Sequence, residues 1–392
     1  MKKVLFVNKS FELGGIQSSL NNLINVMCDD ICIDLLVFND YGVYRDCVPD
    51  EINVIKPCAF IEAIGMSLKQ ALRSKRIGII AFRIFATLWS RIFGNAFPIW
   101  LAFLFQKKLT GYDCAIAYHH EAGNKTTLSG FARFVLKKTE AKCKAAYIHT
   151  DIKKTHLDTA QNRKIYNKLD KIIAVSDGVK DVFIAAYPEL ENKTIVIPNF
   201  HQFDKIISNS KVDTVSYSND AINFLTVARI SEEKGQMRVI NLLERLKAEG
   251  YNFYWHIVGG ATKEVEGIFK ELIKNKNLKN NVFMYGLQKN PYRFFVNADA
   301  LLVPSYNEAA PMVFSESECL KLPIIATRTS STEQFVTNKK IGLVCENNDE
   351  DLYNTLKLVL DNPLILDDLK SNFSESMGND ESKNKLLALL NN

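Results

Sequence analysis

Short β-branched apolar runs alternate with helical patterns along the whole chain. In the first half these runs, each a strand candidate, cover residues 4–7, 31–38, 52–56, 114–118, 145–149, 172–175 and 194–197. The second half repeats the rhythm at residues 222–227, 253–258, 282–285, 300–303, 323–326 and 343–345. Strands that alternate with helices predict parallel sheets with crossover connections. We therefore expect an α/β fold built from two Rossmann-like parallel-sheet domains in series.

The length of the chain also favours two domains. A chain of 392 residues suits two domains of about 150 to 200 residues, each with its own core. The stretch 201–220 is rich in Ser and Asn and lacks a long apolar run, so it predicts a linker. We expect domains over 1–203 and 204–392, the first with a basic aromatic segment at 67–110. A helix near 383–390 either stays with the second domain or packs back on the first.

The composition is that of a folded globular protein, with 47% hydrophobic and 24% charged residues. The eight cysteines form no CxxC pair and have no His at metal-ligand spacing, which disfavours a zinc ribbon or a disulfide framework. The N-terminal apolar run at 4–7 is too short for a signal-peptide core. These features predict a cytoplasmic protein with reduced thiols.

Positive charge is concentrated in the first half. Residues 1–203 carry 27 Lys or Arg and 19 Asp or Glu, whereas 204–392 carry 22 and 25. Between 67 and 144 there are 14 basic and 3 acidic residues. They are interleaved with Phe85, Trp89, Phe93, Phe97, Trp100, Phe103 and Phe105. This mixture predicts contact with an anionic membrane surface and disfavours a plain nucleic-acid binder, whose basic surface is polar.

The apolar segment 77–105 allows two structures. A membrane span is disfavoured because Arg83 and Arg91 interrupt it, and because the uncharged run 92–105 is 14 residues long, whereas a span needs about 18 to 20. One hypothesis is a pair of core helices. The other is an interfacial helix or helical hairpin that docks on lipid.

Two glutamates flank the start of a predicted helix in the second half. Glu308 lies in the loop after a strand, Pro311 suits a helix first turn, and Glu316 lies one to two turns inside the helix. Carboxylates accept hydrogen bonds from sugar or ribose hydroxyls. Amides at the helix start can meet a phosphate or a sugar oxygen, and they belong to Ala310, Met312 and Val313. The alternative is that both glutamates only complement the helix dipole.

Cations and glycines follow other strand candidates. Arg229 and Lys234 come after the strand at 222–227, where ligands of open α/β sheets bind, and they are placed to meet a diphosphate. Each is also a candidate for an ordinary surface salt bridge. Gly259 ends the next strand, and the pair Gly14-Gly15 precedes a helix that starts near Ile16. Such glycines suit either a ligand or simple turn chemistry.

These motifs together resemble the retaining family-4 glycosyltransferases. That family has Arg-x4-Lys followed much later by Glu-x7-Glu, and this chain has both patterns at Arg229, Lys234, Glu308 and Glu316. The resemblance runs from Gly14 to about residue 345. It implies the GT-B fold, in which two Rossmann-like domains face each other across a cleft.

The resemblance also implies roles for the site residues. Arg229 and Lys234 would hold the diphosphate, Glu308 the hydroxyls of the transferred sugar, and Glu316 the ribose of the nucleotide. Gly14-Gly15 would approach the sugar and the diphosphate. The first domain would carry the acceptor and the second would bind the donor, with Gly259, Ala310, Met312 and Val313 among the donor-binding residues.

Three further positions resemble the family pattern. His149 would touch the transferred sugar near the reacting carbon. The alternative is that its ring only forms hydrogen bonds with the backbone of its own loop. Ser176 is foremost a helix N-cap, and Pro198-Asn199 marks a domain boundary. Family members often have Gly where this chain has Ala228 and Ala309. Alanine adds a methyl group and loses access to positive φ, so the resemblance does not fix the donor sugar.

The implied function is retaining transfer of a hexose-type sugar from a UDP- or GDP-sugar to a glycan or lipid-linked acceptor, without a metal or another cofactor. Such a protein would serve cell-surface polysaccharide or capsule synthesis, peripheral on the inner face of the cell membrane. The alternatives are a sugar-nucleotide 2-epimerase of the same fold and a non-catalytic partner subunit of a membrane assembly. A dehydrogenase is disfavoured because no GxGxxG follows the first strand.

Overall fold

The computed structural model describes residues 1–121, 123 and 128–391. The chain divides into two compact units. The first unit is Met1–His201 together with the C-terminal residues from Asn379, and the second unit is Gln202–Gly378.

The first unit contains a seven-stranded sheet in the order β3-β2-β1-β4-β5-β6-β7, with every strand pair parallel. Its strands are β1 Lys3–Ser10, β2 Cys32–Asn39, β3 Asn53–Ile55, β4 Leu109–Ala117, β5 Thr139–Ile148, β6 Lys171–Ala174 and β7 Thr194–Val196. Its helices are α1 Gly15–Met27, α2 Ala59–Gly65, α3 Leu68–Arg73, α4 Ile77–Phe93, α5 Ala96–Leu104, α6 Phe131–Lys138, α7 Ala160–Tyr166 and α8 Asp177–Ala186. The C-terminal helix, which is α15 of the chain, also belongs to this unit.

The second unit contains a six-stranded parallel sheet in the order β10-β9-β8-β11-β12-β13. Its strands are β8 Ile222–Val227, β9 Phe253–Val258, β10 Val282–Gly286, β11 Ala300–Val303, β12 Ile324–Thr327 and β13 Gly342–Cys345. Its helices are α9 Phe203–Ser210, α10 Gln236–Ala248, α11 Lys263–Asn275, α12 Met312–Cys319, α13 Asp349–Asp361 and α14 Leu364–Lys370. The second unit also contains short 3₁₀ helices at Glu232–Lys234 and Tyr292–Phe294.

Both sheets have the architecture that the hydrophobic pattern predicts. Each of the thirteen predicted strands is found, with ends shifted by a few residues, most at β4 and β5. Central strands are buried on both faces, as in β11, where all four residues are enclosed, whereas the edge strands β3, β10 and β13 are partly exposed. The predicted fold of two Rossmann-like parallel sheets is therefore confirmed.

The predicted linker is wrong over part of its length. Residues 203–210 form α9, which packs on α12 and on the 3₁₀ helix Tyr292–Phe294. Phe203 is partly buried and Ile206 is buried, whereas Ile207 is exposed, so two apolar residues three positions apart suffice to give this polar stretch a face that packs. Val215 and Tyr217 also pack against the core of the second unit.

The C-terminal helix, α15 Asp380–Asn391, packs within the first unit. Its Leu386, Leu389 and Leu390 are buried, and the Ser382 hydroxyl donates to the carbonyl of Pro198 at 3.0 Å. The sequence predicted this helix but left two positions open for it.

The segment 77–105 forms two helices, α4 and α5, separated by Gly94 and Asn95. In the described part of the chain no helix is both long and apolar enough to cross a membrane.

Candidate functional site

The candidate donor site lies at the carboxyl ends of β8 and β11 in the second unit. These strands are neighbours at the point where the order of the sheet reverses, and such switch points are where open α/β sheets bind ligands. The register pairs Ala300 with Phe224, so Arg229 and Ser305 both lie five residues beyond this pair. The loops that carry the predicted cations and the predicted glutamate therefore leave the sheet side by side.

Lys234 and Glu308 form an ion pair at this edge of the sheet. The Lys234 ammonium lies 2.6 Å from Oε1 of Glu308, and the Ser305 hydroxyl donates to the same oxygen at 2.7 Å. Glu308 is only 8% exposed, whereas the Lys234 side chain keeps a quarter of its surface. Oε2 of Glu308 makes no hydrogen bond with any residue that the structure describes. One carboxylate oxygen is thus held by protein groups and the other remains an acceptor.

Gly235 lets the Lys234 loop lie against the strand end. Its φ of 71° is left-handed, and a Cβ there would lie 1.9 Å from the carbonyl oxygen of Pro304. The same approach lets the Tyr306 amide donate to the Glu233 carbonyl at 2.9 Å. The two loops are therefore joined backbone to backbone beside the ion pair.

Arg238 stabilises the contact between these two loops. It is buried, its guanidinium donates to the Pro304 carbonyl and to the Thr327 hydroxyl at 3.1 Å, and it stacks on the Tyr306 ring at 4.1 Å. The side-chain amide of Asn347 donates to the carbonyls of Ser305 and Tyr306, both at 3.2 Å. These contacts fix the loop that carries Glu308.

Gly259 has a packing role within the protein. A Cβ at this position would lie 1.9 Å from the carbonyl oxygen of Ala228, because the loops after β8 and β9 lie against each other. The Ile230 amide donates to the Gly260 carbonyl at 2.9 Å across the same junction. Turn and packing chemistry is thus sufficient to explain this glycine.

Glu316 lies on α12, in a different environment from Glu308. It is half-buried, and the Tyr292 hydroxyl donates to its Oε1 at 3.4 Å. Loss of water around the carboxyl raises the pKa of Glu316 to about 7, with the Tyr292 hydrogen bond opposing part of that rise. The side chain therefore changes charge near neutral pH.

The start of α12 supplies backbone donors. Pro311 is its N-cap and gives no side-chain cap, and Met312 and Val313 are the first helical residues. The first amides of any helix have no acceptor inside the helix, and they carry the positive end of its dipole. Ala310 lies in the loop just before them. Met312 and Val313 thus begin α12, and Ala310 precedes it, in the stretch of chain that separates Glu308 from Glu316.

Arg229 stays apart from this cluster. Its side chain is exposed and makes no ion pair within the described residues, while its carbonyl accepts from Gln236 at 3.1 Å. Neither Arg229 nor Glu316 contacts the Lys234–Glu308 pair by a hydrogen bond or ion pair. The structure thus joins two of the four signature residues directly and places the other two on adjoining loop and helix.

The predicted residues of the first unit follow β1 and β5. Gly14 has extended φ of 173°, and a Cβ on Gly15 would meet no protein atom within 4 Å. Neither glycine is therefore demanded by backbone conformation. His149 stacks on Tyr147 with ring centroids 5.3 Å apart and contacts Tyr118 at 4.8 Å with the two rings tilted. Burial, and then the nearby charge of His119, lower the pKa of His149 to about 3, so its imidazole is neutral at pH 7.

Two remaining positions have structural roles. Ser176 caps α8, since its hydroxyl accepts from the Val179 amide at 3.3 Å, which confirms the N-cap prediction. Asn199 accepts from the Ser19 hydroxyl at 2.7 Å, three residues before the second unit begins at Gln202.

An Asp-x-Asp triplet, the pattern with which metal-dependent transferases of another fold hold a cation, occurs at Asp349, Glu350 and Asp351. Here it forms the first turn of α13, where acidic side chains complement the helix dipole. Glu350 also pairs with Arg245 at 2.8 Å. This arrangement explains the triplet by local helix structure.

Comparison with known proteins gives the second unit its family. Residues 211–377 match the family model described as glycosyl transferases, group 1. The second unit belongs to this family. Its glycosyltransferase match lies within the boundaries Gln202–Gly378 and includes the whole Lys234–Glu308 site.

Curated relatives match over similar lengths. An uncharacterised glycosyltransferase of Methanocaldococcus jannaschii is 32% identical over 167 residues, which are 41% of this chain and 40% of the relative. The capsular polysaccharide biosynthesis glycosyltransferase CapM of Staphylococcus aureus is 27% identical over 188 residues, or 45% and 48% of the two chains. The matched region thus spans less than half the length of these relatives.

Solved structures match the whole chain. Anabaena HepE in complex with UDP-glucose has a TM-score of 0.69 at 15% identity, with 100% of both chains covered. WaaG, a glycosyltransferase involved in lipopolysaccharide biosynthesis, has a TM-score of 0.60 at 15% identity, with 99% of both chains covered. At this identity the likeness establishes the fold, which is GT-B.

Sequence reasoning did not identify three residues that shape the site: Ser305, Arg238 and Tyr292. Ser305 stands three residues before Glu308 at a strand end, and this spacing was a usable signal. Arg238 and Tyr292 reach the site from α10 and from a 3₁₀ helix, and no local pattern marks them.

Proposed function

We propose that this chain is a retaining glycosyltransferase that moves a hexose-type sugar from a nucleotide diphosphate sugar to a hydroxyl of a glycan or lipid-linked acceptor. The observation that carries the proposal is the Lys234–Glu308 pair at the sheet switch point, inside the region that matches group 1 glycosyl transferases. Its chemistry suits an activated sugar, because it offers a cation and a carboxylate at one strand edge.

Lys234 is proposed to bind the diphosphate of the leaving nucleotide. An ammonium has three donors, and Glu308 occupies one of those on Lys234, so the other two remain for diphosphate oxygens. Arg229, exposed and without an ion-pair partner in the described chain, adds a second cation that can turn toward the diphosphate. The first amides of α12 add partial positive charge. Together these groups stabilise the negative charge that develops as the nucleotide leaves.

Glu308 orients the sugar. Ser305 and Lys234 both bind its Oε1, so the carboxylate is fixed before any hydroxyl reaches Oε2. A preorganised acceptor loses less conformational entropy on binding than a mobile one. We assign the hydroxyls of the transferred sugar to this oxygen and the ribose hydroxyls to Glu316.

In the first unit, we propose that His149 meets the sugar as a neutral hydrogen-bonding group. Its low pKa excludes a cationic role near pH 7. We propose that Gly14 and Gly15 let the sugar and the diphosphate approach the backbone closely. This role would explain two glycines that the local backbone conformation does not require.

Relatives suggest the kind of acceptor. A Campylobacter jejuni relative, 23% identical over 203 residues, is by its name an N-acetylgalactosaminyltransferase that acts on a diphospho-undecaprenol-linked sugar. CapM is by its name a capsular polysaccharide enzyme. We propose by analogy a lipid-linked glycan acceptor, a role in cell-surface polysaccharide biosynthesis, and a cytoplasmic location at the inner face of the membrane.

The test is a thermal-shift screen of UDP- and GDP-sugars followed by transfer assays with the donor that binds. We expect the chosen donor to raise the melting temperature, because a ligand that binds only the folded state stabilises it by mass action. Lys234→Ala and Glu308→Ala should keep the fold and reduce transfer by about a hundredfold or more, which is the usual loss for one charge-stabilising group.

Lys270→Ala is the matched control, because Lys270 also forms a 2.6 Å pair with a glutamate, Glu266, but on the surface of α11. It should transfer sugar like the wild type. Wild-type transfer by Lys234→Ala or Glu308→Ala would refute the proposal.

Two further measurements separate the alternatives. Transfer should persist in EDTA, since the proposed scheme gives the leaving-group charge to side chains and amides; loss of activity that Mg²⁺ or Mn²⁺ restores would contradict it. Incubation of donor alone should leave its sugar configuration unchanged, whereas a 2-epimerase would convert the donor without acceptor.

A further inference from the structure

Helices α4 and α5 present a continuous apolar face to the surroundings. On α4 the residues Ile77, Ala81, Ile84, Leu88 and Ile92 recur every three or four positions and are all exposed. On α5 the exposed residues Phe97, Trp100 and Leu104 recur in the same way. We call these eight residues the outer face. A helix of a globular protein normally turns charged or polar residues outward, and this pair does the reverse.

The outer face is rigidly supported from within. The opposite side of α4 packs on α2 through Phe82 and Phe60, whose ring centroids are 4.9 Å apart. The opposite side of α5 packs on α6 through Phe103 and Phe134 at 5.5 Å. Trp89 and Phe97, at 4.8 Å, join the two helices. Apart from Phe97, which also joins the two helices, the outer-face residues are therefore not needed for the core of the first unit.

Every charged residue of the segment that carries the outer face is basic. Residues 67–108 contain eight Lys or Arg and no Asp or Glu. Arg73 and Lys75 precede α4, Arg91 lies near its end, and Lys107 follows α5. These four are exposed and make no ion pair with the residues that the structure describes. Free cations thus border the apolar surface at both ends.

We propose that the α4–α5 hairpin docks the protein on an anionic lipid bilayer, with the outer face among the upper acyl chains and Arg73, Lys75, Arg91 and Lys107 on the headgroup phosphates. A helix that lies in the interface buries its apolar side about 5 to 10 Å deep, and each nearby cation is attracted to anionic lipid. Trp100 on this face suits the interface, where tryptophan is enriched.

A bilayer fits this surface better than a second copy of the chain. A two-fold interface would set the same patch against itself, and so would bring free cations together without an acid from 67–108 to neutralise them. An anionic headgroup layer supplies the missing negative charge. The proposal does not depend on the donor site, since every residue in it belongs to the first unit.

The experiment is flotation of the full chain with vesicles of phosphatidylcholine, with and without phosphatidylglycerol, at low salt. We expect binding to the vesicles that contain phosphatidylglycerol and much weaker binding to phosphatidylcholine alone. Leu88→Ser with Ile92→Ser should weaken binding by about tenfold per residue, given the free energy of burying an aliphatic side chain. Arg73→Gln with Lys75→Gln should weaken it by about fivefold per cation.

Matched controls lie on the second unit. Leu287→Ser with Leu358→Ser changes residues that are 60% and 46% exposed, close to the 56% and 64% of Leu88 and Ile92. Lys263→Gln with Lys289→Gln removes two exposed cations there. Both controls should bind vesicles like the wild type. Equal losses in the controls would show that the surface as a whole is responsible, and would overturn the assignment to the hairpin.

Tryptophan fluorescence reports which surface touches lipid. Trp100 is 54% exposed, whereas Trp255 is fully buried in the second unit. The emission should shift to shorter wavelength with anionic vesicles, and Trp100→Phe should remove most of that shift.

Absence of vesicle binding at low salt would overturn the proposal. So would a dimer, seen by light scattering, that Leu88→Ser with Ile92→Ser abolishes, because a second copy would then cover the face. In either case the thermal shift by a nucleotide sugar would still occur if the proposed donor site is correct, so the two failures are distinguishable.

Discussion

Lys234 reaches Glu308 only because the residue after it is glycine. The left-handed φ at Gly235 and its contact with the Pro304 carbonyl bring the two strand-end loops together. The geometry of the candidate site thus depends on a residue with no side chain as much as on the charged pair. A side chain at this position must push back the backbone that leads to Glu308.

Gly235→Ala should therefore destabilise the second unit by at least about 2 kcal/mol and abolish nucleotide-sugar binding, because its Cβ must displace backbone. Gly250→Ala is the matched control, since Gly250 also has a left-handed φ, of 91°, but a Cβ there meets no atom within 4 Å. That control should cost only about 1 kcal/mol and retain binding. Urea unfolding midpoints measure both. Equal midpoints for the two variants would refute the packing argument.

Glu316 should make stability depend on pH. Its folded pKa, about 7, lies above the ordinary 4.5, so the folded state holds the proton more tightly than the unfolded state. Stability from this group is present below pH 4.5 and is lost as pH rises from 4.5 to about 7. The total loss should be at most about 3 to 4 kcal/mol.

Glu316→Gln removes this titration. The free energy of unfolding of the variant, minus that of the wild type, should rise between pH 5 and 7 and stay level from pH 7.5 to 8.5. A difference that does not change between pH 5 and 7 would mean that the Glu316 carboxyl is well hydrated.

At the scale of elements, α9 shows how a helix can be concealed in a polar sequence. Only three of its eight residues, Phe203, Ile206 and Ile207, are large and apolar, yet α9 packs on α12, the helix that carries Glu316. Its packing thus links the start of the second unit to one wall of the candidate site.

Two adjacent isoleucines test this packing. Ile206 is 3% exposed and Ile207 is 40% exposed. Ile206→Ala should reduce the free energy of unfolding by about 2 to 4 kcal/mol, whereas Ile207→Ala should cost less than about 1 kcal/mol. Urea unfolding at fixed pH measures both variants. Equal small effects would support a flexible linker in place of α9.

At the scale of the whole molecule, the chain returns to its first unit after completing the second. Helix α15 contributes three buried leucines to the first unit, and Lys383 pairs with Asp30 there at 3.1 Å. The first unit therefore includes α15 as well as residues 1–201.

Deletion of residues 379–392 should destabilise the first unit by several kcal/mol, since each buried leucine contributes about 2 kcal/mol. Limited proteolysis should then cut within 1–201 while 202–378 stays resistant. Lys383→Ala should have an effect below about 1 kcal/mol, because its ion pair is about one-third exposed on both sides. Resistance of 1–201 in the deletion variant would show that α15 is dispensable.

Local patterns predicted much of this fold because strands that are buried in a parallel sheet consist mainly of apolar residues. Strand β11 is a continuous apolar run and β8 is mostly apolar, so the number, order and type of such strands are readable without any long-range contact. The strand-end motifs followed from the same reading, since parallel strands end at one edge. Helix α9 was missed because Phe203 and Ile206, the two apolar residues that turn inward, are too few to mark a buried face without the helix that they pack against.

Sequence by itself thus determined the alternation of strands and helices and the positions of Arg229, Lys234, Glu308 and Glu316 at strand and helix ends, because these depend on neighbours along the chain. Tertiary structure decided which of the four touch, that the Glu316 pKa lies near 7, that Gly235 and Arg238 hold the site, and that the outer face of α4 and α5 is exposed. These properties depend on distances between residues far apart in sequence and on exclusion of water. Neither is encoded in any one segment.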